Sequence, residues 1–131
     1  MGHEEVIQAF DKTFGKLDVP GVISLVDNEG MVIYTNELSE ELDLLQGIYA
    51  QLLTSFERTA SGVSSISSNH LQSVNLTLRN DEDKAISYVV FDLNWEDTYF
   101  IIRAEVDLMY KVQPILNALI PQITKILQSR D

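Results

Sequence analysis

The chain contains no cysteine. This excludes disulfides, thiolate metal sites and a cysteine nucleophile, and it fits a reducing compartment. Histidine is nearly absent as well. His3 and His70 are the only two, and neither has a second ligand at i+3 or i+4, so no metal site is expected. Basic residues are few: 9 Lys and Arg against 20 Asp and Glu, a net charge of −11. A chain so acidic, with no basic patch, is a poor partner for phosphate backbones, and nucleic-acid binding is not expected. No apolar run approaches the ~18 residues of a membrane span, and the opening MGHEEVIQAF has no signal-peptide core. Val6 stands where a myristoylation signal at Gly2 needs Ser or Thr. The expected location is the cytoplasm, without membrane insertion.

The phosphate-cradling G-x-x-x-x-G-K-[ST], the dinucleotide G-x-G-x-x-G and the nucleophile elbow G-x-S-x-G are all missing. Acidic residues abound, but Asp27, Glu29 and the run Asp81-Glu82-Asp83 fall in predicted turns. That run is shorter than the ligand ladder of an EF-hand loop and lacks its central glycine. No catalytic residue, cofactor site or metal site is assigned.

What is present is a clear sequence of elements. The 131 residues, 45% apolar and 22% charged, suit one domain spanning 1–131. In Pro20–Tyr34, PGVISLVDNEGMVIY, two apolar runs flank Asp27-Asn28-Glu29-Gly30, the pattern of a β-hairpin with Gly30 at the position needing positive φ. Ile23 and Leu25 are expected on one face, Val22, Ser24 and Val26 on the other. Before the hairpin, Ile7, Phe10, Phe14 and Leu17 mark a helix over Glu4–Leu17. After it a long helix is predicted over Glu40 to about Ser61, capped by Ser39 or Asn36. Its stripe is Leu42, Leu45, Tyr49, Leu52, Phe56 and Ala60, widened by Leu44 and Ile48. Glu40, Asp43, Gly47, Gln51, Thr54 and Arg58 lie behind it. The stripe is wider than one sheet contact needs.

Ser61–Asn69 reads as a serine-rich connector. Three strand-like runs follow. Leu71–Arg79 alternates apolar with polar residues. Ala85–Leu93 and Thr98–Val106 are apolar on both faces and belong mid-sheet. Trp95 is placed in the turn Asn94–Asp97. A final helix is predicted over about Val112–Leu127, with Pro114 in its first turn and Pro121 producing a kink or a break.

The order helix, strand, strand, helix, strand, strand, strand, helix resembles the Roadblock/LC7 family. The residues that carry the resemblance are Val19-Pro20-Gly21-Val22-Ile23-Ser24-Leu25-Val26-Asp27-Asn28-Glu29-Gly30-Met31-Val32-Ile33-Tyr34, with the long helix, the three-strand meander and the closing helix after them. The resemblance implies an α+β fold, an α/β/α sandwich around a five-stranded antiparallel sheet. It implies a homodimer, or a heterodimer with a paralogue, made by pairing the third strands and packing the long helices together. The interface it implies here is Leu44, Ile48, Gln51 and Ser55 on the helix with Leu71, Ser73, Asn75, Leu76 and Thr77 on the strand. It further implies a non-catalytic module that binds or regulates a Ras-like small GTPase, or a light-chain or scaffold subunit. Arg58 and Arg79 lie on the relevant elements by position alone, so neither is assigned as an arginine finger. Two other architectures share the pattern. A PAS- or GAF-type sensor would line a cavity with Ser87, Tyr88 and Tyr99, and a longin- or profilin-like adaptor would have other partners.

Overall fold

The computed structural model describes residues 21–35, 42–95 and 97–112, together with Gln8, Pro114, Asn117, Pro121 and Lys125. The helix expected over Glu4–Leu17 lies almost wholly outside the described residues. So do the expected cap at Asn36 or Ser39 and most of the closing helix.

The elements are β1 (Val22–Asp27), β2 (Val32–Thr35), the helix α1 (Leu42–Ile66), β3 (Ser73–Arg79), β4 (Ala85–Trp95) and β5 (Thr98–Glu105). Residues 106–112 follow as a helix, α2. The strands form one sheet in the order β2-β1-β5-β4-β3, with every neighbouring pair antiparallel.

The turns are built by the residues the sequence suggested. Asp27 Oδ1 accepts the N–H groups of Glu29 and Met31, each at 2.9 Å, and Gly30 sits at φ 86. Asn80 Oδ1 accepts the N–H groups of Glu82 and Lys84 at 3.0 Å, and Asp83 takes φ 65. Asp27 and Asn80 therefore hold loops together, each through an Oδ1 that accepts two backbone N–H groups.

Three boundaries differ from expectation. α1 continues to Ile66, so the first part of the serine-rich connector is helix and Gly62 lies inside it. The serines there bond back onto helix carbonyls: Ser64, Ser65 and Ser67 donate to those of Ser61, Gly62 and Val63 at 3.2, 2.8 and 3.0 Å, which satisfies the hydroxyls locally. β4 runs through Trp95, whose backbone pairs with Thr98 after a register shift beyond Asp92, so Trp95 belongs to the strand and not to the turn. β5 ends at Glu105 and the chain is helical from residue 106, several positions before Val112.

The central strands are buried on both faces, as their two-sided apolar pattern requires. Ile23, Leu25, Val89, Leu93, Phe100 and Ile102 face one way and pack with Met109 and Val112 of α2. Val26, Tyr88, Val90, Tyr99 and Ile101 face the other and pack under Leu45, Tyr49, Leu52, Leu53 and Phe56 of α1. The ring of Phe56 meets that of Tyr99 edge-on, with centroids 5.6 Å apart.

α1 is fixed to the β1–β2 side of the sheet by three contacts. The Tyr49 hydroxyl shares a hydrogen bond of 3.0 Å with the buried Ser24 hydroxyl, which also donates to Thr35 Oγ1 at 3.2 Å. Gln46 Oε1 accepts the Val32 N–H at 2.9 Å. Gly30 lies directly against the helix backbone: a Cβ there would stand 2.6 Å from Ala50 N and 2.8 Å from Ala50 Cα.

Two predictions follow from this packing. Gly30→Ala combines a strained positive φ with a clash against helix backbone, and should lower stability by roughly 2–4 kcal/mol. Gly47→Ala, where a Cβ meets nothing within 4 Å, should raise it by about 1 kcal/mol. Urea midpoints of the two variants check both signs. Burial, followed by the charges of Asp92, Glu57 and Asp97, pushes the Tyr99 hydroxyl from 10.0 up to about 12. The folded state thus holds this proton more tightly than the unfolded chain. The associated stability is complete below pH 10 and is lost as pH rises toward 12. Tyr99→Phe should flatten that decline in urea midpoints measured from pH 9 to 12.

Candidate interaction surface

The anchoring contacts of α1 fall on one side of the helix. Gln46, Ala50 and Leu53 form that line with Glu57, whose carboxylate accepts a long hydrogen bond of 3.4 Å from the Tyr99 hydroxyl. At 100° per residue, Leu44, Ile48, Gln51 and Ser55 occupy the opposite flank, beyond the core-facing line of Leu45, Tyr49, Leu52 and Phe56. This flank points away from the β1–β2 turn. Leu44 is 61% exposed, Ile48 is half-buried, and Gln51 and Ser55 are exposed.

The sheet is correspondingly uncovered at β3. Val74 and Leu76 are half-buried against the α1-side core, and Leu78 is 46% exposed. Ile86 of β4, the cross-strand neighbour of Leu78, is also only half-buried. Leu71 packs against the same core but precedes the strand, which starts at Ser73 and not at Leu71. Ser73, Asn75 and Thr77 alternate onto the other face, where all three are exposed. Asn75 Oδ1 accepts the Ser87 hydroxyl at 2.6 Å. The nine residues suggested by the resemblance therefore lie on two adjoining elements, with Ile48, Leu71 and Leu76 in one apolar cluster.

The backbone of β3 is oriented for further pairing. Asn80 donates to the Lys84 carbonyl and Asp92 donates to the Gln72 carbonyl, in the register that carries Ser73 opposite Phe91 and Leu76 opposite Tyr88. Even-numbered residues of β3 thus bond to β4. The N–H and C=O groups of Ser73, Asn75, Thr77 and Arg79 point outward from the sheet. Among the described residues β3 is an open edge, seven residues long. The other edge, β2, has four residues, and Gln46 takes one of its N–H groups.

Leu78 and Ile66 were missed from the sequence. Leu78 continues the alternation of Val74 and Leu76, and Ile66, 85% exposed at the last position of α1, lies on the Leu44 flank. Both signals were available; the second required carrying the helix past Ser61.

Among the described residues no three His, Asp or Glu side chains gather as metal ligands would. His70 is exposed. Arg79 is engaged with Asp83 at 2.8 Å in its own turn, and Arg58 is exposed on the polar side of α1. Tyr88 and Tyr99 are buried under α1, whereas the adjacent Ser87 is buried on the opposite face, so these three do not line one cavity as a sensor domain would need. No helix among the described residues is long and apolar enough to cross a membrane.

Neither a protein-family model nor a curated protein matches the sequence. Solved structures do match. Myxococcus xanthus MglB superposes with a TM-score of 0.69 at 14% identity, over 97% of this chain and 90% of that one. A structure of MglB with tetrameric arrangement gives 0.62 at 12% identity, over 97% and 88%. A Roadblock/LC7 domain from Streptomyces avermitilis gives 0.53 at 14% identity, over 92% of both chains. At such identities the likeness is one of fold, and it agrees with the element order and the five-stranded antiparallel sheet: the chain has a Roadblock/LC7-like fold.

Proposed function

We propose that this chain is a single-domain, non-catalytic and dimeric interaction module that binds or regulates a Ras-like small GTPase, or serves as a light-chain or scaffold subunit. One observation carries the dimer: an open β3 edge and an uncharged, half-covered flank of α1 adjoin on a single side of the molecule. Each feature is costly to leave in water. An unpaired strand edge invites another strand. Leu44 and Leu78 each gain up to ~2 kcal/mol on burial. The Roadblock/LC7-like fold supports the GTPase partner through the family resemblance. A structure of MglB with tetrameric arrangement supports self-association of this fold.

Acidic side chains do not stand in the way. Asp27, Glu29, Asp81, Glu82, Asp83 and Asp97 belong to turns, and the residues Leu44, Ile48, Gln51 and Ser55 carry no charge. Two copies of a chain of net charge −11 can therefore approach through these surfaces without opposing like charges at the contact.

Light scattering after gel filtration should report a dimer at tens of micromolar. Leu44→Glu and Leu78→Glu, at positions exposed in the protomer, should leave the circular dichroism spectrum unchanged and weaken self-association at least about tenfold, the cost of burying a carboxylate. A wild-type monomer at that concentration rules the dimer out. Pulldowns with Ras-like GTPases encoded beside this gene, loaded with GDP or a GTP analogue, should retain at least one nucleotide state. Retention of neither would remove the GTPase from the proposal and leave the scaffold role.

A further inference from the structure

We infer that one end of the sheet binds a small zwitterion, a free α-amino acid with an apolar side chain. The site is a cleft of about 300 Å³ where β1 begins and β5 ends. Small-molecule pockets start at this size. Val22, Ile86, Ala104 and Leu108 give the cleft an apolar lining, and Arg103 and Glu105 bring opposite charges to it.

Arg103 is the observation that carries the inference. It stands in β5 between Val22 of β1 and Tyr88 of β4, both buried. Its Nε is buried and has no hydrogen-bond partner; among the described residues no other buried side-chain nitrogen or oxygen is in that state. Leaving a buried donor unpaired destabilises a fold. Within the protomer a methionine would fill the same place without that cost. Arg79 and Lys84, the cations of the neighbouring β3–β4 turn, have partners there in Asp83 and Glu82. The root of the Arg103 side chain is firmly placed. A Cβ on Gly21 would stand 2.6 Å from the Arg103 carbonyl oxygen, so the start of β1 lies tightly against it.

Glu105 completes the pattern. It lies two residues further along β5, on the same face of the strand, with its Cα about 7 Å from that of Arg103. The two charges line one cleft and form no ion pair with each other. A cation and an anion held apart in this way suit a ligand that carries both charges close together. The ligand carboxylate takes the guanidinium of Arg103, and its ammonium takes Glu105. Its side chain lies against Ile86 and Leu108, both half-buried. The charges also narrow the class. A phosphate or a polycarboxylate would meet Glu105 and a chain of net charge −11, with one free guanidinium to offset them.

The probes are leucine, isoleucine, valine and phenylalanine, each added to the full chain. At least one should bind saturably in calorimetry and raise Tm by a few degrees at roughly ten times its Kd. The analogues of the best binder that lack the ammonium or the carboxylate, isocaproate and isoamylamine in the case of leucine, should each bind at least about tenfold more weakly. Glu105→Gln should weaken the amino acid by a similar factor, and Lys84→Gln should leave it unchanged. Arg103→Met should abolish binding and leave the unliganded protein at least as stable in urea, because an unpaired buried donor is removed. These readouts do not depend on whether the chain dimerises. Absence of saturable binding for all four amino acids at millimolar concentration overturns the site, as does binding that survives Arg103→Met. A lowered urea midpoint in Arg103→Met makes the guanidinium a structural group and overturns the inference as well. Equal binding by the analogue without an ammonium overturns the zwitterion.

Discussion

The backbone contact between Gly30 and Ala50 sets the terms for the rest of the molecule. It places α1 against the turn that joins β1 and β2, and the Tyr49–Ser24 and Gln46–Val32 hydrogen bonds hold the same end of the helix in place. A helix is only about 10–12 Å across with its side chains, whereas five strands at roughly 4.8 Å spacing make a sheet about 20 Å wide. One helix cannot cover that face. Held toward β1 and β2, α1 leaves β3 as the part of the sheet that goes without a lid.

The two sheet edges answer this asymmetry differently. β2 is brief, and a glutamine from the helix occupies one of its donors. β3 keeps four outward-pointing residues and an exposed leucine. Natural sheets blunt edges they do not use, with charge, proline, bulges or brevity. β3 carries one charged residue, at its last position, and that side chain turns back to Asp83. Its seven-residue register with β4 is unbroken. An edge left in this state lies next to an apolar helix flank, and the two features adjoin on one side of the described structure.

Much of the architecture was legible because the central strands state both of their faces. Tyr88 and Val90 turn one way and Val89 and Leu93 the other, as alternation requires. Gly30 takes the positive φ that its place in the turn demanded. The errors have local causes. Serine and glycine after Ser61 resemble a connector, yet the chain stays helical to Ile66, with the hydroxyls of Ser64, Ser65 and Ser67 satisfied by helix carbonyls. Val106, β-branched and following an apolar strand, gives no sign that a helix has begun. The site was partly legible. Periodicity revealed that the α1 stripe was too wide, which named Leu44 and Ile48. Periodicity does not say where on the sheet a helix rests, so which side of the stripe stays bare was knowable only from the Ala50, Tyr49 and Gln46 contacts.

The empty space around Gly62 has an evolutionary consequence. A Cβ at this position would touch nothing else in the protomer within 4 Å, so the residue can change without disturbing the packing beneath the helix. Substitutions here alter the outer surface of α1 alone, and that surface can diverge between related copies while the fold stays the same.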